Sequence, residues 1–353
     1  MKWNTVLLAK TPLRAFSEEE LQASLCKEMA VFGKVQIVIV EGMPLQVQTV
    51  RRMKKKFPQE SKHVYEDLFE WESGTIIKLY IESDKTEKEI LQELSGTYLR
   101  CGSDTTLGFG ELTLEEYTGT SGEPLEILYE PKNMVYFEVE GSFENGFTTG
   151  QIRNTREKEI INIAKEGKNS NIQLPEIIDA RIPASSLKGV FRTRCSQIIK
   201  TAGLNMEIIN TLFGNKELDV RGRLIFHDAE INNYSIHDSM RLHIDKFTGG
   251  VFDGSMQTYA SVFGNTRIRV YYICDSDMQG YKGDQMDEFG KRLVLMVIRD
   301  LAAKRINVGG GFALGKGYMN VEKVKVIDSC LNQSLELNMK EKMVTGSLDW
   351  AVR

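Results

Sequence analysis

Arg100-Cys101-Gly102-Ser103-Asp104-Thr105-Thr106-Leu107-Gly108-Phe109-Gly110 and, much further along, Val308-Gly309-Gly310-Gly311-Phe312-Ala313-Leu314-Gly315-Lys316-Gly317 are the two stretches on which the reading of this chain turns. Each follows a helix-period run, EKEILQELSGTYL and DEFGKRLVLMVIRDLAAKRI, and each leads into a strand-like run, ELTLEEY and YMNVEKVKV. Both share a glycine, a gap and a closing Gly-x-Gly. Glycine tolerates positive φ and lets backbone approach closely, so successive N–H groups can converge on an anion. A single copy reads as a tight helix-to-strand turn. Two copies in equivalent places point instead to a repeated phosphate-cradling device, Gly102, Gly108 and Gly110 in the first and Gly309, Gly310, Gly311, Gly315 and Gly317 in the second. Lys304, Arg305 and Lys316 surround the second copy with positive charge.

Working outward from the loops, the same element order appears twice. Upstream of the first lie WNTVLLA as a strand, SEEELQASLCKEMAVF as a helix capped by Ser17, then VQIVIV and TIIKLYIES as strands. Upstream of the second lie NMVYFEVEG, the helix ASSLKGVFRTRCSQIIKTAG, RLIFHDAEI and TRIRVYYICDS. The expected class is therefore α+β: two ferredoxin-like (RRM-like, βαββαβ) domains, at 1–120 and 130–330. The second is enlarged by insertions at about 142–181 and 231–264. The boundary falls in the polar stretch 118–133, and the segment after about 328 carries no strong signal.

Composition sets limits. Of 353 residues, 41% are apolar and 27% charged, which is ordinary for a folded globular chain and too much for one small core. No run of about 18 apolar residues offers a membrane span, and the N-terminal apolar run is too short for a signal peptide, so a cytoplasmic location is expected. The five cysteines are scattered and never form a CxxC pair, which suggests reduced, structural thiols and no zinc site. A net charge of −4 argues against a free-standing nonspecific nucleic-acid binder. Any such binding must be local, through backbone N–H groups and clusters such as Arg51, Arg52, Lys54, Lys55 and Lys56, or Lys188, Arg192 and Arg194.

The string Ile182-Pro183-Ala184-Ser185-Ser186-Leu187-Lys188-Gly189 reads as a helix start, with Ser185 or Ser186 as cap and Lys188 and Arg192 on one face. It also resembles the signature of the RAMP superfamily (repeat-associated mysterious proteins), subunits of type III CRISPR complexes. Leu212-Phe213-Gly214, Arg223 to Ala229 and His243 to Gly250 are similar to that family's later motifs, in the same order. The resemblance spans about 134–327, and reaches the first unit through element order and its Gly loop.

That resemblance implies a subunit holding the guide (crRNA) backbone in a type III interference complex for antiviral defence. Its partners would be crRNA, target RNA and other effector subunits, with no membrane and no cofactor for binding. It places Ser185, Ser186, Lys188 and Arg192 near the crRNA, and makes Lys246 to Phe263 a thumb-like element that interrupts base pairing. It leaves the enzyme question open: a metal-dependent endoribonuclease would use Asp179, with Glu176 nearby, and Mg2+, whereas a crRNA-processing nuclease would use His237. A structural adaptor that binds no RNA is the plainest alternative. The remaining histidines, His63, His227 and His243, show no metal-ligand spacing.

Overall fold

A computed structural model describes residues 2–52, 63–119, 122, 124–125, 128–148, 180–215, 218, 220–241, 244–251, 257–274 and 283–351. The chain is mixed α+β with antiparallel sheets and separates into two compact units, Met1–Met134 and Val135–Arg353.

The first unit runs β1 (Lys2–Ala9), β2 (Leu13–Ala15), α1 (Glu18–Met29), β3 (Lys34–Glu41), β4 (Leu45–Arg52), β5 (His63–Trp71), β6 (Ile76–Glu82), α2 (Glu87–Gly96), β7 (Leu99–Arg100), β8 (Glu111–Thr118) and β9 (Pro124–Leu125). Its main sheet has the order β3-β6-β1-β8-β7. Along β1 the side chains of Trp3, Leu7 and Ala9 alternate inward and meet Leu21, Leu25 and Met29 of α1 and Ile90 and Leu94 of α2 in one core. Ser17 caps α1, its Oγ accepting from the Glu20 N–H, and Thr86 with Glu89 forms a reciprocal capping box at α2. One feature was not expected. The hairpin β4–β5 joins β2 in a separate three-stranded sheet, order β2-β5-β4.

The second unit runs β10 (Met134–Phe143), β11 (Arg181–Ile182), α3 (Ala184–Thr201), α4 (Glu207–Phe213), β12 (Leu224–Phe226), β13 (Ala229–Arg241), β14 (Gln257–Ile273), α5 (Gly283–Ala302), β15 (Met319–Asp328), β16 (Gln333–Asn338) and β17 (Met343–Gly346). Its sheet has the order β11-β13-β14-β10-β15-β16-β17, with β12 pairing β14. Strict alternation buries Val135, Phe137, Val139 and Phe143 of β10, and α3 buries Leu187, Phe191, Cys195 and Ile199, each apolar side chain worth about 1.5–3 kcal/mol of burial.

Two expectations change here, and the segment after 328, which carries no strong sequence signal, gains defined elements. The insertion at 231–264 is no irregular loop, because β13 and β14 pair as one long ribbon from Ile231↔Thr266 to Arg241↔Gln257. The expected caps Ser185 and Ser186 do not cap: Pro183 occupies the N-cap and has no hydroxyl to offer. The Ala184 N–H donates instead to Asp228 Oδ1 at 2.7 Å, a carboxylate reaching in from the turn before β13. The segment after 328 is ordered, forming β16 and β17 and burying Leu348 and Trp350. No described helix is long and apolar enough to cross a membrane.

Candidate nucleic-acid interface

The two glycine loops share one backbone. In the first, Gly102, Asp104, Gly108 and Gly110 take φ of 80°, 57°, 81° and 74°; in the second, Gly309, Gly311, Gly315 and Gly317 take 81°, 79°, 71° and 78°. A single 310 turn sits between the second and third of these, Thr105–Leu107 in one and Phe312–Leu314 in the other. The hydrogen bonds match as well. Cys101 N–H donates to Gly110 O at 2.9 Å and Val308 N–H to Gly317 O at 2.8 Å; Gly110 N–H donates to Pro12 O and Gly317 N–H to Gly146 O, both at 2.9 Å. Glycine is required where chain meets chain: a Cβ on Gly110 or Gly317 would lie 1.9 or 2.1 Å from a carbonyl oxygen.

The surroundings of the two loops differ. In the first, Gly102 N–H donates to Ser24 Oγ at 2.8 Å, Ser103 N–H to Arg14 O at 2.6 Å, and Ser103 Oγ lies 3.2 Å from Glu20 Oε1. Arg14 stacks on Phe109 at 3.6 Å and pairs with Glu70 at 2.6 Å. The donors of Gly102 and Gly110 are thus spent inside the unit, beside an acidic helix. Of the three glycines expected to form an anion nest there, Gly102 and Gly110 turn their N–H groups onto the chain's own α1 and Pro12, while Gly108 N–H meets no acceptor among the described residues.

In the second loop the N–H groups of Gly310, Gly315 and Gly317 are likewise engaged, by Thr148 O, Phe312 O and Gly146 O. Those of Gly309 and Gly311 meet no acceptor among the described residues, and Gly309 and Gly310 are exposed. Two elements converge on this loop. The exit of β10 lies against it through the Thr148↔Gly310 bridge and against the ribbon through Phe147↔Val262. Lys316 Nζ bonds Ser261 Oγ of β14, and Ser261 stands opposite His237 of β13, whose ring packs edge-on against Phe263 at 4.9 Å. His237, Ser261 and Lys316 therefore share one neighbourhood, a grouping the sequence reading missed because three separate elements supply it.

Cations gather around a buried carboxylate at the end of α5. Asp300 is fully buried, with Arg194 Nη2 at 2.8 Å, Arg299 Nη2 at 3.1 Å and Arg305 Nη1 at 3.5 Å. Arg299 and Arg305 remain 64% and 62% exposed, so one carboxylate holds more positive charge than it neutralises. Burial pushes the Asp300 carboxyl up, but hydrogen bonds from Arg194 and Arg299 outweigh it and leave the group below its usual range. A depressed carboxyl stabilises the fold above its unfolded pKa and loses that contribution as pH falls through the folded value. Asp300→Asn is expected to cost about 2 kcal/mol near pH 7, the difference from wild type shrinking as pH drops below ~4 in urea unfolding series at several pH values. A pH-independent difference would show that the charge is not what matters.

Among the other expected residues, Ser185, Ser186 and Arg192 are exposed on α3, and Lys188 is half-buried; Arg192 makes no ion pair among the described residues. Lys246 sits at the ribbon tip in a turn built by Asp245, which accepts from Phe247 N–H at 3.1 Å and Thr248 Oγ1 at 2.7 Å. Beside it Phe247 is 98% exposed. Asp179, Glu176, His243 and Lys54 to Lys56 lie outside the described residues. No three His, Cys, Asp or Glu among the described residues are grouped to hold one ion, and Asp179, the carboxylate expected to work with Mg2+, is not among those residues.

The second loop, the ribbon and α3 all fall in one stretch of sequence that matches a known family. Residues 167–320 match the RAMP superfamily. The RAMP match takes in α3, the ribbon, α5 and the second loop, and does not extend to the first unit. Comparison with curated proteins gives no match. Among solved structures, a chain titled "CRISPR RNA-guided surveillance complex" is similar over 55% of this chain and 68% of its own, at 13% identity and a TM-score of 0.38.

Proposed function

We propose that this chain is a crRNA-binding subunit of a type III CRISPR effector complex, acting in antiviral defence alongside other effector subunits, crRNA and target RNA. The observation that carries this reading is the second glycine loop. It lies inside the RAMP match, keeps the Gly309 and Gly311 N–H groups open, and is flanked by Arg299, Arg305 and Lys316. Backbone donors and exposed guanidinium groups bind phosphate without reading bases, which suits a protein that leaves sequence recognition to a guide. The exposed Phe247 and Lys246 at a self-braced ribbon tip suit a thumb that inserts between bases.

We read both units as ferredoxin-like. The orders β3-β6-β1-β8 and β12-β14-β10-β15 are one arrangement of the four strands of a βαββαβ unit, with β16–β17 and the β13–β14 ribbon as additions to the second. In this reading the second unit holds RNA, and the first, whose loop turns the Gly102 and Gly110 N–H groups inward, serves protein contacts in the complex.

The test is the salt dependence of RNA affinity. Arg192→Ala combined with Arg305→Ala should weaken binding of guide-length RNAs about tenfold, whatever their sequence, and lower the slope of log affinity against log salt by roughly 1–2. Unchanged affinity and slope in a folded double variant would overturn the reading and favour the adaptor.

A further inference from the structure

All five cysteines are free thiols, and two of them, far apart in sequence, meet. Cys274 directly follows β14, and Cys330 lies in the turn from β15 to β16; their Sγ atoms are 3.0 Å apart. Both backbones are held in place. The Ile273 N–H donates to Arg223 O at 2.9 Å, and the Leu331 N–H donates to Asp328 Oδ1 at 3.1 Å, fixing the turn that carries Cys330. Cys330 is exposed and Cys274 partly so, whereas Cys101 and Cys195 are buried.

We propose that Cys274 and Cys330 form a reversible disulfide, making this corner of the second unit a site of oxidative modification by low-molecular-weight disulfides. The two thiols have unequal roles. The hydrogen bond with Cys274, reinforced by the Lys291 ammonium, holds the Cys330 thiol below its ordinary range, and the same hydrogen bond, with burial, pushes Cys274 up. Cys330, exposed and the more readily deprotonated of the two, is thus the thiol that attacks, and Cys274 the resolving thiol.

In the first step the Cys330 thiolate attacks one sulfur of glutathione disulfide, its S–S bond breaks, and one glutathione thiolate leaves. In the second, Cys274 gives up its proton to solvent and attacks the Cys330 sulfur, expelling the second glutathione thiolate. Two protein thiols are oxidised to one disulfide and one glutathione disulfide is reduced to two thiols. The product ties the end of β14 to the turn beyond β15, two strands that β10 separates in the sheet.

The experiment uses the full chain carrying Cys26→Ser, equilibrated in glutathione disulfide, then denatured, alkylated and digested. The expected result is a linked peptide pair containing residues 274 and 330, loss of both from the alkylated pool, and full return with dithiothreitol. Cys274→Ser should instead trap a stable glutathione adduct on Cys330, and the oxidised parent should need more urea to unfold than the reduced one. A parent that stops at the adduct with Cys274 still alkylatable, or in which neither thiol reacts, would overturn the proposal.

Discussion

Asp328→Ala is expected to cost about 3–5 kcal/mol, because it strands a buried ammonium. Asp328 is fully buried; its Oδ2 accepts from Lys291 Nζ at 2.9 Å and from Trp350 Nε1 at 2.8 Å, while Oδ1 holds the Leu331 N–H. Lys291 is itself 5% exposed and lies 5.9 Å from the Trp350 ring. Removing the carboxylate leaves charge, indole N–H and turn without their acceptor together. Replacing both ends, Asp328→Ala with Lys291→Met, should recover most of the loss, since an apolar pair in place of a buried ion pair is often nearly neutral. Urea midpoints of the two single variants and the double variant decide it. A single variant within 1 kcal/mol of wild type would mean that water already reaches Lys291.

Gly317→Ala should destabilise by about 3 kcal/mol or more, despite adding only a methyl group. The new Cβ would lie 2.1 Å from Val308 O at a φ of 78°, so the loop has to open its Val308–Gly317 pairing to admit it. Gly189→Ala is the control. It lies within α3 with nothing within 4 Å of its missing Cβ, and there alanine is expected to be stabilising by about 0.5–1 kcal/mol. Equal midpoints for the two variants would show that the second loop has more room than its torsions imply.

Both glycine loops could be found from sequence because positive φ leaves a written trace: the residue type itself changes. So do strands as regular as β10 and helices capped from within, as at Ser17 and Thr86. What stayed hidden was built from distant partners. The cap on α3 is Asp228, so the serines at its start, which look like caps, misled. The β4–β5 hairpin carries Arg51 and Arg52 at its far end and reads as a charge run more readily than as a sheet. The inward bonding of Gly102 and Ser103 in the first loop depends on Ser24 and Arg14, neither adjacent to it in sequence. The meeting of Cys274 with Cys330 requires the ends of β14 and β15 to come together around β10, which spacing alone does not encode.

The place of β10 in its sheet has a kinetic side. This strand, the first of its unit to be made, has as neighbours β14 and β15, with Val135 opposite Asp328. On the ribosome it emerges with both edges bare and an alternating apolar face, Val135, Phe137, Val139 and Phe143; β14 follows only at Gln257–Ile273, and the edge that β15 covers waits until nearly the whole unit has been translated. Pairing that distant closes slowly and leaves a sticky edge exposed in the meantime. The first unit, whose β1 finds β6 and β8 much sooner, can be folded by then.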